Sequence, residues 1–157
     1  MGKNSRDPVH CWLVLGKAFH AAAKYLYAGL EETGIDDTDF RILEVLLNKG
    51  PLPVNTIGPK VYLTPGSISV AIDRLLDRGL VSRVESPEDR RVRIVSLTAK
   101  GKELIAPIFR KHAAEIRRVF ADASPQEFRA FETTLKKIGK RGESLGTGVN
   151  PKCLSRR

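Results

Sequence analysis

The 157-residue sequence is poor in the residues that build metal centres, redox sites and nucleophilic sites: it has two cysteines, three histidines, one tryptophan and one methionine. Cys11 and Cys153 provide neither a disulfide framework nor metal-ligand spacing. His10, His20 and His112 are scattered, with no HExxH pattern around them, and there is neither a P-loop nor a GxGxxG. No nucleophile, base and orienter can be assembled, so no catalytic residue, metal or cofactor is expected. No apolar run approaches the ~20 residues that a membrane-spanning helix needs. Trp12 to Leu15 is too short for the core of a signal peptide. A cytoplasmic protein with no membrane partner is expected.

What is abundant is positive charge. The formal net charge is +9, with 41% apolar and 29% charged residues. The chain can therefore bury one core, and it favours an acidic partner such as nucleic acid. The charge is uneven. Glu31, Glu32, Asp36, Asp37, Asp39 and Glu44 face only Arg41 across residues 31–44, whereas Arg90, Arg91 and Arg93 cluster, and the segment from Lys136 onward carries seven bases against Glu143. A polyanion should meet the middle and the tail.

Apolar residues from Val9 to Leu30 recur at three and four, predicting a helix over 9–33 that Gly34 ends. Asp37 or Thr38 should cap a second helix, which runs through Leu47 and stops at Gly50-Pro51. A short third helix is expected over 53–61, kinked or cut short by Gly58-Pro59. After a fourth helix, 81–85 and 92–97 alternate as a β-hairpin whose tip reads SPEDRR. Thr98 should cap a helix to about Phe120, bent at Pro107. Ser124-Pro125-Gln126-Glu127 is a capping box opening a last helix. Its Phe128, Phe131, Leu135 and Ile138 make a narrow seam suited to another helix. Residues 1–8 and the basic tail 142–157 are expected to be flexible.

The fourth helix holds the functional signal. In LTPGSISVAIDRLLDRGLVSR (63–83), Thr64 caps, Pro65 takes the first helical position and Gly79 supplies the left-handed exit. Ile68, Ile72, Leu75 and Leu76 form one stripe, and the opposite side carries Gly66, Ser67, Val70, Asp73, Arg74 and Asp77. Such a face lets a backbone approach another surface closely. A short helix, a turn, this helix and a charged hairpin make a winged helix-turn-helix, whose second helix enters the DNA major groove. Thr64, Pro65, Gly66, Ser67, Ser69, Val70 and Arg74 are the candidate helix contacts, with Arg74 either reading a base or meeting a phosphate. Arg90 and Arg93 are candidate phosphate contacts, while Arg91 either enters the minor groove or pairs with Asp89. The fold class is mainly α with a small β-hairpin wing.

With those elements placed, the chain resembles the multiple-antibiotic-resistance regulator (MarR) family of bacterial transcription factors. The resemblance rests on the 63–83 stretch and on SPEDRRVRIVSLTAKGKEL (86–104), above all Asp89 and Arg91 in the wing and Leu97, Thr98 and Gly101 after it. It spans about 9–140, and Gly58-Pro59 departs from the family's usual unbroken helix. It implies a winged helix-turn-helix at 37–100 between dimerisation helices at 9–34 and 104–141. It also implies a homodimer on a pseudo-palindromic operator, acting as a repressor released by a small phenolic or other hydrophobic effector. Peroxide-sensing members carry a cysteine near Cys11 partnered by tyrosines, and Tyr25 and Tyr27 follow here, with Cys153 as a candidate second thiol. The apolar pattern around Phe40, however, puts Trp12 at the sensor position and Leu15 where a tyrosine belongs. A thiol-based regulator and a non-regulatory winged-helix DNA-binding protein stand as the alternatives.

Overall fold

The computed structural model describes residues 7–146. Six helices and three strands follow in the order α1 (Pro8–Glu31), α2 (Asp37–Lys49), β1 (Leu52–Pro53), α3 (Val54–Lys60), α4 (Pro65–Asp77), β2 (Val81–Glu85), β3 (Arg93–Leu97), α5 (Ala99–Val119) and α6 (Pro125–Leu145). The chain divides after Arg118 into two compact units. Apart from β1, the elements are those expected, with shifted ends. Asp7 caps α1, so Pro8 is helical. Asp36, rather than Asp37 or Thr38, caps α2 by accepting from Asp39 N–H at 2.8 Å. Pro107 lies inside α5 without ending it, and α6 continues through Gly142 to Leu145. Cys153 and most of the basic tail lie outside the described residues.

The first unit packs one core. Ile42, Leu43, Ile57, Ile68, Ile72, Leu75, Val95 and Ile105 are fully buried, drawn from α2, α3, α4, β3 and α5. Burying each such side chain is worth ~1.5–3 kcal/mol, so the helix-turn-helix is held by its apolar stripes rather than by helix propensity. The sheet is antiparallel in the order β1-β3-β2. β2 and β3 pair in register from Val81↔Leu97 to Glu85↔Arg93. β1 was not expected: Leu52 pairs with Val95 and Pro53 with Ile94. Two residues show no alternation, and a proline without an N–H survives only at a sheet edge.

α3 ends one residue beyond Pro59. Leu63 N–H donates to Gly58 C=O at 2.9 Å and Tyr62 N–H to Pro59 C=O at 3.4 Å, the paired bonds of a Schellman ending. The left-handed residue of that ending is Tyr62, at φ 58°, where a side chain costs about 1–2 kcal/mol relative to glycine. Gly79, at φ 68°, ends α4 in the same way without that cost.

The second unit holds α6. Ser124 and Glu127 form the reciprocal capping box, and the Phe120 ring packs on Phe128 and Phe131 with centroids 5.2 and 6.5 Å apart. No residue of α6 is buried.

The start of α5 is locked to the end of α4. Thr98 Oγ1 donates to Gly79 C=O at 2.8 Å and accepts from Gly101 N–H at 3.0 Å. A Cβ on Gly101 would fall inside the Leu80 carbonyl oxygen and 2.9 Å from its carbon. Because backbone cannot rotate out of the way, Gly101→Ala should cost about 3 kcal/mol or more. Urea unfolding of the variant checks this, and a loss under about 1 kcal/mol would contradict the packing described.

Candidate nucleic-acid interface

α4 turns its apolar stripe inward and leaves a short-chain face outside. Ile68, Ala71, Ile72 and Leu75 are buried, while Thr64, Pro65, Gly66, Ser67, Ser69 and Val70 are exposed. The expected helix contacts other than Arg74 are thus gathered at its N-terminal half, where free N–H groups and the helix dipole favour anions. Their hydroxyls already have local partners. Thr64 Oγ1 accepts from Ser67 N–H at 3.2 Å and lies 2.8 Å from Ser67 Oγ, and Ser69 Oγ donates to Pro65 C=O at 3.0 Å. Having spent its proton on Pro65, Ser69 is left as an acceptor, suited to an amino group of a base edge more than to a phosphate oxygen.

Arg74 departs from the expectation of a free base reader. Its Nε and one terminal nitrogen donate to Asp39 at 3.2 and 2.5 Å, and it lies 2.9 Å from Asp36. Asp39 is 1% exposed and is also bound by Arg78 at 2.9 Å. Those bonds raise the Arg74 guanidinium above its already high pKa, the Asp39 bond contributing most. Because a buried carboxylate short of a partner is costly, Asp39 draws this guanidinium toward the protein. Sequence reading assigned Asp39 to an acidic segment away from the partner. Neither its burial nor its place three residues after the true cap, Asp36, was legible there.

The wing's tip is cross-linked by local hydrogen bonds. Arg91 N–H donates to Asp89 Oδ1 at 2.9 Å, and its guanidinium makes two further bonds to the same carboxylate at 3.1 Å. These hold the Asp89 carboxyl below its ordinary pKa, while Arg91 stays 92% exposed. Pairing with Asp89 and availability outward therefore coexist. Arg90 is exposed on the tip. Arg93 instead begins β3, where it pairs with Glu85. Arg83 of β2 reaches Asp73 of α4 at 2.8 Å, tying wing to helix, a pair that no sequence spacing announced.

Away from this face, α1 and α5 line an open pocket of about 300 Å³ beside Tyr25, Leu30, Glu32, Ile108, Lys111, His112, Glu115 and Arg118. Burial holds the His112 imidazole below its ordinary pKa, against the opposing pull of Glu44 and Asp37. The Tyr25 hydroxyl donates to Glu115, which raises the phenol's pKa and lowers the carboxyl's.

The MarR family model matches residues 35–92, the stretch that holds the helix-turn-helix, β2 and the wing's tip. The HTH-type transcriptional regulator MhqR of Bacillus subtilis (strain 168) is 35% identical over 128 residues, covering 82% of this chain and 88% of that protein. The chain belongs to the MarR family. It is a DNA-binding transcription regulator of that family, with the winged helix-turn-helix expected from its sequence. AbsC, a MarR regulator from Streptomyces coelicolor, shares the fold at TM-score 0.79 and 22% identity over 92% of this chain and 98% of its own. BpsR of Bordetella bronchiseptica, whose DNA binding is regulated by 6-hydroxynicotinic acid, shares it at TM-score 0.71 and 20% identity over 88% and 97%.

The thiol-based alternative fits this MarR chain poorly. Cys11 is exposed on α1, but Tyr25 lies fourteen residues along the same helix, about 21 Å at 1.5 Å per residue. The Tyr25 hydroxyl is committed to Glu115.

The Arg74 geometry yields a stability test. Arg74→Ala should lower the unfolding free energy by about 1–3 kcal/mol, since it strips one of two guanidinium partners from a buried carboxylate. An arginine serving only the solvent face would leave stability within about 0.5 kcal/mol. Urea unfolding of the variant separates the two.

Proposed function

We propose that this regulator is a cytoplasmic homodimeric repressor that seats two copies of α4 in successive major grooves of a pseudo-palindromic site near its own gene. The observation that carries the reading is the exposed, short-chain N-terminal face of α4 beside the arginine-bearing wing. In this reading Thr64, Pro65, Gly66, Ser67, Ser69 and Val70 meet the groove, Arg90 and Arg93 meet phosphates, and Arg91 reaches the minor groove while still holding Asp89. Arg74 orients α4 through Asp39 rather than reading a base.

A second copy is the natural cover for two apolar surfaces. α1 exposes Val9, Trp12, Leu13, Val14 and Phe19, and α6 exposes Phe128, Phe131 and Ile138. Patches of this kind in a folded protein mark an interface. The dimerisation segments are 9–34 and 104–141. The pocket between α1 and α5 suits a small aromatic ligand, with apolar walls from Leu30 and Ile108 and a polar rim in which Lys111 pairs with Glu32 and Arg118 with Glu115. The regulation of BpsR by 6-hydroxynicotinic acid supports that ligand class. Binding there would change the lobe spacing that a two-groove contact needs.

Two experiments test this. Sedimentation at micromolar concentration should show a dimer, and a folded monomer would end the quaternary proposal. A footprint on the DNA upstream of the gene should protect an inverted repeat with half-sites about 10 base pairs, or a multiple, apart. Replacing Arg90, Arg91 and Arg93 together with alanine should then flatten the salt dependence by roughly 0.9 log–log units per lost phosphate contact, counted over both wings. An unchanged slope would remove the wing from binding.

A further inference from the structure

Tyr62 is a costly residue with no internal return. It occupies the left-handed position between α3 and α4 at φ 58°, where glycine would close the same two backbone bonds without strain. Its ring gains nothing from the chain in exchange, because it is 90% exposed. A strained backbone carrying an unpacked aromatic ring points to a contact made outside the protomer.

Its location says which contact. Tyr62 precedes the α4 cap Thr64 by two residues, at most about 7 Å of chain. A helix with its side chains is ~10–12 Å across and fills a major groove ~12 Å wide. A side chain flanking the end of α4 that enters the groove would overlie the phosphates at the groove's edge. Lys60, also exposed, adds positive charge on the same turn. A phenol hydroxyl can donate to a phosphate oxygen, whereas the ring alone reads no base there.

We propose that Tyr62 is a DNA-backbone contact, its hydroxyl donating to a phosphate at the edge of the groove that receives α4. This rests on the groove placement proposed above. The contact is neutral and sequence-independent, so it adds affinity without adding counterion release.

The test compares the full chain with Tyr62→Gly, Tyr62→Asn and Tyr62→Phe on a mixed-sequence duplex of about 30 base pairs at ~50 mM salt. Glycine and asparagine both accept the left-handed backbone, so those variants should melt at the same temperature as the parent or about 1–4 °C higher. A loss of binding by them is then not a loss of fold. Both should bind roughly tenfold more weakly, for two copies per dimer, with an unchanged salt slope. Tyr62→Phe keeps ring and strain, and should lose most of the same affinity. Parental affinity in the glycine variant overturns the contact, parental affinity in the phenylalanine variant overturns the hydroxyl's role, and a shallower slope would mean a charged group had been displaced instead. If the parent chain itself fails to retard the duplex, the groove placement fails and the contact with it.

Discussion

Asp39 has almost no contact with water, so its charge has to be neutralised from within the protein. Two arginines do this, Arg74 and Arg78, one turn apart on the outer edge and end of α4. Their pairing fixes the rotation of α4 about its own axis, and hence which residues face outward. From α2, the helix that carries Asp39, Arg41 donates to Val61 C=O at 3.0 Å, at the end of α3. α2 thus grips both helices of the helix-turn-helix by polar contacts whose geometry is narrower than that of the apolar core beneath them.

The C-terminal end of α4 is held as tightly. Lys100 donates to Arg78 C=O at 2.8 Å and Thr98 to Gly79 C=O at 2.8 Å, placing positive charge and a donor where the helix leaves carbonyls free. The Arg83–Asp73 pair adds a lateral tie to the wing. Among the described residues the N-terminal half of α4 makes no such hydrogen bonds to other elements, and its outward groups are small. Rigidity at one end and an open, hydroxylated surface at the other is the arrangement by which a helix can be aimed end-first into a groove.

Much of this was legible in the sequence because it rests on local rules. The α4 stripe, the Thr64 cap, the Gly79 exit and the Ser124–Glu127 box each depend on close neighbours in the chain, and the β2–β3 hairpin on two alternating runs joined by a short tip. β1 escaped because two residues carry no period, and its existence depends on β3 lying alongside. The cap of α2 slipped by one because Asp36, Asp37 and Thr38 all have capping side chains, and only the bond to Asp39 N–H decides among them.

The candidate site divides along the same line. That α4 would present Gly66, Ser67, Ser69 and Val70 followed from a 100° step per residue, a property of the chain alone. That Arg74 would be drawn from this face to a buried carboxylate thirty-five residues away did not, since no periodicity encodes which distant charge shares a low-dielectric site. Nor could the spacing of Gly58-Pro59 reveal that a tyrosine would take the left-handed turn beside it. Local hydrogen bonding and amphipathic period are written into sequence order, whereas the choice of ion-pair partner and the strain borne by a turn arise only when elements are packed.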